Sequence, residues 1–112
     1  MSRYYPRWIK PLATNSVKTY RVTPKAERDL LAIGQYTLEK WGVRQRDIYL
    51  QNLVNRFTWL CEHPNLGANR DDIKQGYLSY HEGKHLIFYV VSDEFIDIIG
   101  VLHERMDFQS AL

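Results

Sequence analysis

The hydrophobic pattern of this chain changes period once, and that change limits the folds open to it. From residue 24 to residue 62 apolar side chains return every three or four positions. After residue 75 they alternate, or run together in short segments bounded by turn residues. A helix repeats its faces every ~3.6 residues and a strand every ~2, so two helices are expected first and a set of strands after them.

The boundaries follow from local chemistry. Thr23-Pro24 opens the first helix, because threonine can cap a free N–H and proline is tolerated at the first helical position. Ala26, Leu30, Ile33 and Thr37 line one face of residues 24–40, with Tyr36 and Trp41 at its margins. Gly42 is a natural stop. Tyr49, Leu53, Phe57 and Leu60 define the second helix, residues 44–62, which Pro64 and Gly67 terminate. The short Gly42-Val43 link makes the pair an antiparallel hairpin. Strands are expected at 17–22, 76–81, 84–91 and 95–102, the middle two joined by a turn at Glu82-Gly83. Residues 84–91 (KHLIFYVV) are almost continuously apolar after the first two, as in a strand covered on both faces. The expected class is α+β, in the order β-α-α-β-β-β, with an N-terminal helical hairpin packed on a small antiparallel-rich sheet. Leu30, Ile33, Leu53, Phe57, Ile87 and Tyr89 are the expected core.

A length of 112 residues and an apolar content of 45% suit a single domain, taken as residues 17–112. Residues 1–16 read as an irregular basic arm, in which Tyr4, Tyr5, Trp8 and Ile9 are possible anchors to the body or to a partner. The formal charge of +2 is uneven. Arg3, Arg7, Lys10, Lys18 and Arg21 lie in the first 21 residues with no acid among them. Residues 22–112 therefore carry ten basic and thirteen acidic groups. Direct nucleic-acid binding is expected to be weak or absent, since a binder spreads positive charge over a folded face. No apolar run approaches the ~18 residues of a membrane span. With one cysteine, Cys61, and no secretory pattern at the start, a cytoplasmic protein is expected.

The sequence lacks the glycine-rich phosphate loops, the paired histidine metal motif and the serine elbow that mark common cofactor, metal and hydrolase sites. No cofactor is expected. His81 and His85 could reach a metal only with help from Asp71 or Asp72, and they flank a turn instead of sharing a face, so no metal site is assigned. The chemistry concentrates at the end of the chain, in LHERMDFQSAL, residues 102–112. His103 could move a proton and Arg105 could bind a phosphate, which is part of what metal-free RNA cleavage requires. The same residues also suit a structural ending, with His103 closing the last strand and Arg105 paired to Asp97 or Asp107.

Four stretches, TPKAERDLLAIGQYTLEKWG, YLQNLVNRFTWLCEHPNLG, DDIKQGYLSYHEGKHLIFYVV and IIGVLHERMD, resemble the ParE branch of the RelE/ParE toxin superfamily over roughly residues 19–108. The resemblance implies a toxin of a type II toxin-antitoxin system, silenced by a cognate antitoxin in a hetero-oligomer and acting on DNA gyrase. Relatives of the RelE type instead cut mRNA on the ribosome. That alternative calls for cations on the central strand and a tyrosine near the C-terminus. Residues 86–91 hold no cation, and no tyrosine follows Tyr89. In the gyrase reading His103, Arg105 and Met106 are the target-binding candidates; in the nuclease reading His103 and Arg105 are catalytic. Convergence of His81, Lys84, His85 and Arg105 in one cleft would favour the nuclease. Arg28, Gln35, Arg46 and Arg56, outward on the hairpin, are the antitoxin-binding candidates. A non-toxic α+β binding protein is the remaining alternative.

Overall fold

The computed structural model describes residues 17–112; the N-terminal arm, with Tyr4, Tyr5, Trp8 and Ile9, lies outside the described residues. The elements are β1 (Thr19–Val22), α1 (Pro24–Trp41), α2 (Val43–Glu62), β2 (Ala68–Asn69), β3 (Leu78–Glu82), β4 (His85–Val91), β5 (Phe95–His103) and α3 (Phe108–Ala111). The strands form one sheet in the order β1-β5-β4-β3-β2, antiparallel except where β1 runs parallel to β5. The two long helices pack together on one face of this sheet, as the change of period requires.

Thr23 makes the entry to α1. Its Oγ1 accepts the Ala26 N–H at 3.2 Å and donates to the Ile98 carbonyl at 2.9 Å, so one hydroxyl caps the helix and ties it to β5. Gly42 alone separates the helices, in a backbone conformation (φ +94°) that favours glycine. The hairpin is thus one residue tighter than the sequence suggests, with Val43 already in α2. Gly34 allows the helices to approach: a Cβ there would come within 3.2 Å of the Leu50 side chain.

The core between helices and sheet contains Ala26, Ile33, Leu53, Phe57, Leu60, Cys61, Ile87, Tyr89, Ile96, Ile98 and Val101, with Leu30 packed against it half-buried. Ile98 and Val101 both face the helices although three residues apart, because a bulge inserts Ile99 where the register shifts opposite Phe88 and Tyr89. The Tyr89 hydroxyl, fully buried, donates to the Pro64 carbonyl at 2.9 Å and accepts the Gly67 N–H at 3.0 Å, fastening the loop after α2.

Two elements were not expected from the sequence. β2 is only two residues long, too short to show a period. α3 folds the end of the chain back over the far face of the sheet, where Phe108 packs on the fully buried Phe88 with ring centroids 5.1 Å apart and the Arg70 guanidinium covers both rings. This second cover explains why β4 is apolar on both faces. The β3–β4 turn is Gly83-Lys84 instead of Glu82-Gly83, since Gly83 takes the positive φ (+59°) that a two-residue hairpin turn needs at its first position.

Candidate functional site

β1 ends at Val22, opposite Ile98, so the remainder of β5 has no strand on that side. The start of α1 covers the gap. Thr23 takes the Ile98 carbonyl, and Asp29 reaches over to accept the Val101 N–H at 2.9 Å while Lys25 holds both its carboxylate oxygens, at 2.8 and 2.7 Å. An exposed strand edge is thereby closed to pairing at these positions. Between α1, the first turns of α2 and this end of β5 lies an open groove of about 1250 Å³. Its walls are mostly apolar, with Tyr36, Trp41 and Met106 conspicuously exposed at 60%, 66% and 49%.

The groove's polar end is the tip of the β4–β5 pair. The Glu104 N–H donates to the Lys84 carbonyl at 2.9 Å, which brings Lys84, His85, His103 and Arg105 together along the groove. The rings of His85 and His103 meet edge to face, centroids 5.4 Å apart. Tyr49 of α2 holds the pair in place. Its oxygen accepts the Lys84 N–H at 2.9 Å, and its proton is directed to His85 Nδ1 at 2.6 Å. Burial, and after it the neighbouring His103, pushes the His85 pKa down to about 4, so this imidazole is neutral at pH 7. Burial likewise raises the Tyr49 pKa and keeps the phenol protonated. His103 Nδ1 accepts the Arg105 N–H at 3.1 Å, closing the turn that ends β5.

These bonds decide what the cluster can do. Both imidazoles have committed Nδ1 as an acceptor, so in the neutral rings the remaining Nε2 carries the proton and can only donate. Neither ring has a free lone pair with which to take a proton from a substrate. Lys84 and Arg105 have no ion-pair partner among the described residues, whereas Lys25 is bound by Asp29 and Glu104 is turned to His81. The site is a set of hydrogen-bond donors at the end of an apolar groove.

A comparison with known families matches residues 20–108 to the one described as ParE toxin of type II toxin-antitoxin system, parDE. Toxin ParE1 of Mycobacterium tuberculosis (strain CDC 1551 / Oshkosh) is 37% identical over 89 residues, 79% of this chain and 91% of the relative. The chain belongs to the ParE toxin family. Toxin ParE1 of Caulobacter vibrioides is 33% identical over 96 residues, covering 86% of this chain and 99% of that ParE protein. Two solved structures share the fold. A chain of the chromosomal ParDE system from P. aeruginosa superposes with a TM-score of 0.67 at 21% identity, over 80% of this chain and 98% of that one. A chain of the RelBE2 toxin-antitoxin complex from M. tuberculosis gives 0.55 at 22% identity, over 78% and 98%.

Within this ParE-family toxin the sequence candidates separate. His103, Arg105 and Met106 share the groove with Lys84 and His85. His81 does not join them: strand alternation puts it on the opposite face of the sheet from His85, where its Nε2 meets Glu104 Oε1 at 2.9 Å. The two histidines therefore cannot hold one ion between them. The pairings imagined for Arg105 are absent: Asp97 is bound instead by Arg21, at 2.7 and 2.9 Å, and Asp107 accepts from Ser110. Of the hairpin candidates, Gln35 bonds Glu39, Arg46 bonds Asp47, and Arg56 bonds Glu82 while lying over Trp59 and Tyr80. Arg28 is exposed and has no ion pair among the described residues. Sequence reasoning missed Asp29, Tyr49 and the Tyr36–Trp41 wall as parts of a site. The available signal was two aromatic residues at the margin of an otherwise ordinary apolar helix face. No helix among the described residues is long and apolar enough to cross a membrane.

Proposed function

We propose that this chain is the toxin of a type II toxin-antitoxin pair, that it binds and poisons DNA gyrase, and that a cognate antitoxin neutralises it. The observation that carries this reading is membership of the ParE toxin family across residues 20–108, nearly the whole described body. The chemistry of the groove supports an inhibitor of an enzyme over an enzyme. Poisoning gyrase asks only for a binding surface, because gyrase itself cuts and rejoins DNA. His103, Arg105 and Met106 belong to that surface, at one end of an exposed apolar groove.

The RelE-type alternative has one observation in its favour: Lys84, His85 and Arg105 do line one groove, with His103 between them. Cleavage of RNA needs a base for the 2′-hydroxyl as well as cations for the phosphate. Both imidazoles have spent their acceptor nitrogens on Tyr49 and on the Arg105 N–H, so a histidine base would first have to break one of those bonds.

A paired assay with purified protein tests the choice. One reaction holds gyrase and supercoiled plasmid, the other translating ribosomes and mRNA. Trapped or cleaved plasmid with intact mRNA is the expected result. Cuts in mRNA that disappear in His103→Ala or Arg105→Ala would overturn it.

A further inference from the structure

We infer that Arg70 is a positioning residue for the turn that carries Arg105 and Met106, and that it acts from the opposite face of the sheet by clamping α3. The inference rests on the reading above, in which these two residues meet the target, and adds to it what holds them in place. Only residues 104–107 separate the end of β5 from the start of α3. At the β5 end the turn is shaped by His103, whose Nδ1 accepts the Arg105 N–H at 3.1 Å and whose carbonyl accepts the Met106 N–H at 2.9 Å. Arg105 and Met106 are otherwise exposed. Where the turn stands therefore also depends on what fixes its other end, which is α3.

α3 cannot hold that end unaided. It has four residues, none of them buried, and Asp107 gives its first turn no side-chain cap. A helix of this length is unstable without tertiary contacts. Three contacts seat it on the sheet. Phe108 lies against Phe88 beside the Arg70 guanidinium, which stands 5.4 Å from the Phe88 centroid and 5.3 Å from that of Phe108. Gln109 Nε2 donates to the Asp72 carbonyl at 2.8 Å. Leu112 fills the space beside Gly100, where a Cβ would come within 2.6 Å of it. Arg70 or its ion-pair partner Asp72 takes part in two of the three. Arg70 also organises its own segment. Its Nε and Nη2 donate to the two Asp72 carboxylate oxygens at 3.0 and 3.1 Å, its N–H donates to the Tyr77 carbonyl at 2.8 Å, and its side chain is only 19% exposed. Arg70 does not line the groove, so its effect there runs through Phe108.

The test uses the purified full chain. In Arg70→Ala the Met106 and Leu112 amides, bonded to the His103 and Phe108 carbonyls, should exchange about tenfold faster, while those of β4 keep their rates. The same variant should lose about tenfold in its action on gyrase, and so should Phe108→Ala. Combining the two should lose no more than Phe108→Ala alone, since Arg70 acts through that ring. Tyr89→Phe, weakened on the helix side of the sheet, should act on gyrase as the unaltered chain does. So should Lys74→Gln, which removes an exposed cation from the same loop. Circular dichroism confirms that the variants fold. If Arg70→Ala does not fold, Arg70→Lys carries the same measurements with about a threefold loss, because lysine keeps the charge but not the fork that holds both Asp72 oxygens. Unchanged exchange at Met106, unchanged action on gyrase, losses that multiply in the double variant, or an equal loss in Tyr89→Phe each overturn the clamp. If the unaltered chain does not act on gyrase, the target reading fails, and exchange at Met106 alone decides whether Arg70 holds the turn.

Discussion

Acid should loosen this protein through His85. In the folded chain its pKa is about 4, lowered first by burial and then by the neighbouring His103, whereas an unfolded histidine titrates near ~6.5. The folded state thus binds fewer protons than the unfolded state between these values. Stability is fully present above about pH 6.5 and is lost as the pH falls toward 4. One pKa unit corresponds to ~1.4 kcal/mol, so the full loss is about 3 kcal/mol, of which about 2 kcal/mol is gone by pH 5. Protonation would also oppose the Tyr49 hydroxyl, which now donates to His85 Nδ1 at 2.6 Å. The direct measurement is an NMR titration of the imidazole, which should show His85 unprotonated down to about pH 5. Urea melts at pH 7 and pH 5 supply the energetic counterpart, with His85→Gln as the comparison. Gln can accept from Tyr49 and does not titrate, so this variant should lose about 2 kcal/mol less than the native chain over that interval. A His85 midpoint near 6.5, or equal losses in both proteins, would refute the reasoning.

Three further outcomes follow from packing. Tyr89→Phe leaves the Pro64 carbonyl and the Gly67 N–H without their partner and should cost about 2–4 kcal/mol in urea melts, with faster amide exchange at Gly67. Gly67→Ala should cost about 1–3 kcal/mol or more, because its Cβ would overlap the Tyr89 hydroxyl and press the Ser79 carbonyl; the same melts read it. Phe57→Ala, which empties a fully buried site against Tyr20, should cost about 3–5 kcal/mol, and a loss below about 1 kcal/mol would contradict its place in the core.

The helices and the three long strands were legible because each carries a period and a clear stop: Thr23-Pro24, Gly42, Pro64 and Gly83 are local signals with local causes. β2 gave none, as two residues cannot display alternation. α3 escaped because its decisive contact, Phe108 on Phe88, spans two elements and leaves no mark on a four-residue helix. The bulge at Ile99 hid in an unbroken apolar run, where any register looks acceptable. At the groove, the sequence singled out His103, Arg105 and Met106 by type and position. It could not show that Tyr49, 36 residues before His85, would fix that ring's tautomer, nor that Asp29 would close the strand edge.

The position of β5 within the sheet bears on when the groove can form. β5 is the last of these strands to be synthesised, yet it lies between β1 and β4, and its pairing with β1 joins residues such as Tyr20 and Ile96. Until residues 95–103 emerge, β1 has no neighbour, and the Thr23 and Asp29 bonds that seat α1 on the sheet have no acceptor or donor to meet. Contacts this distant in sequence form late. At ordinary rates of synthesis a chain of this length takes on the order of ten seconds to complete. The groove, with one wall made of β5 and its exit, does not exist during that time. A nascent chain therefore presents no groove to any ligand until its last strand is in place.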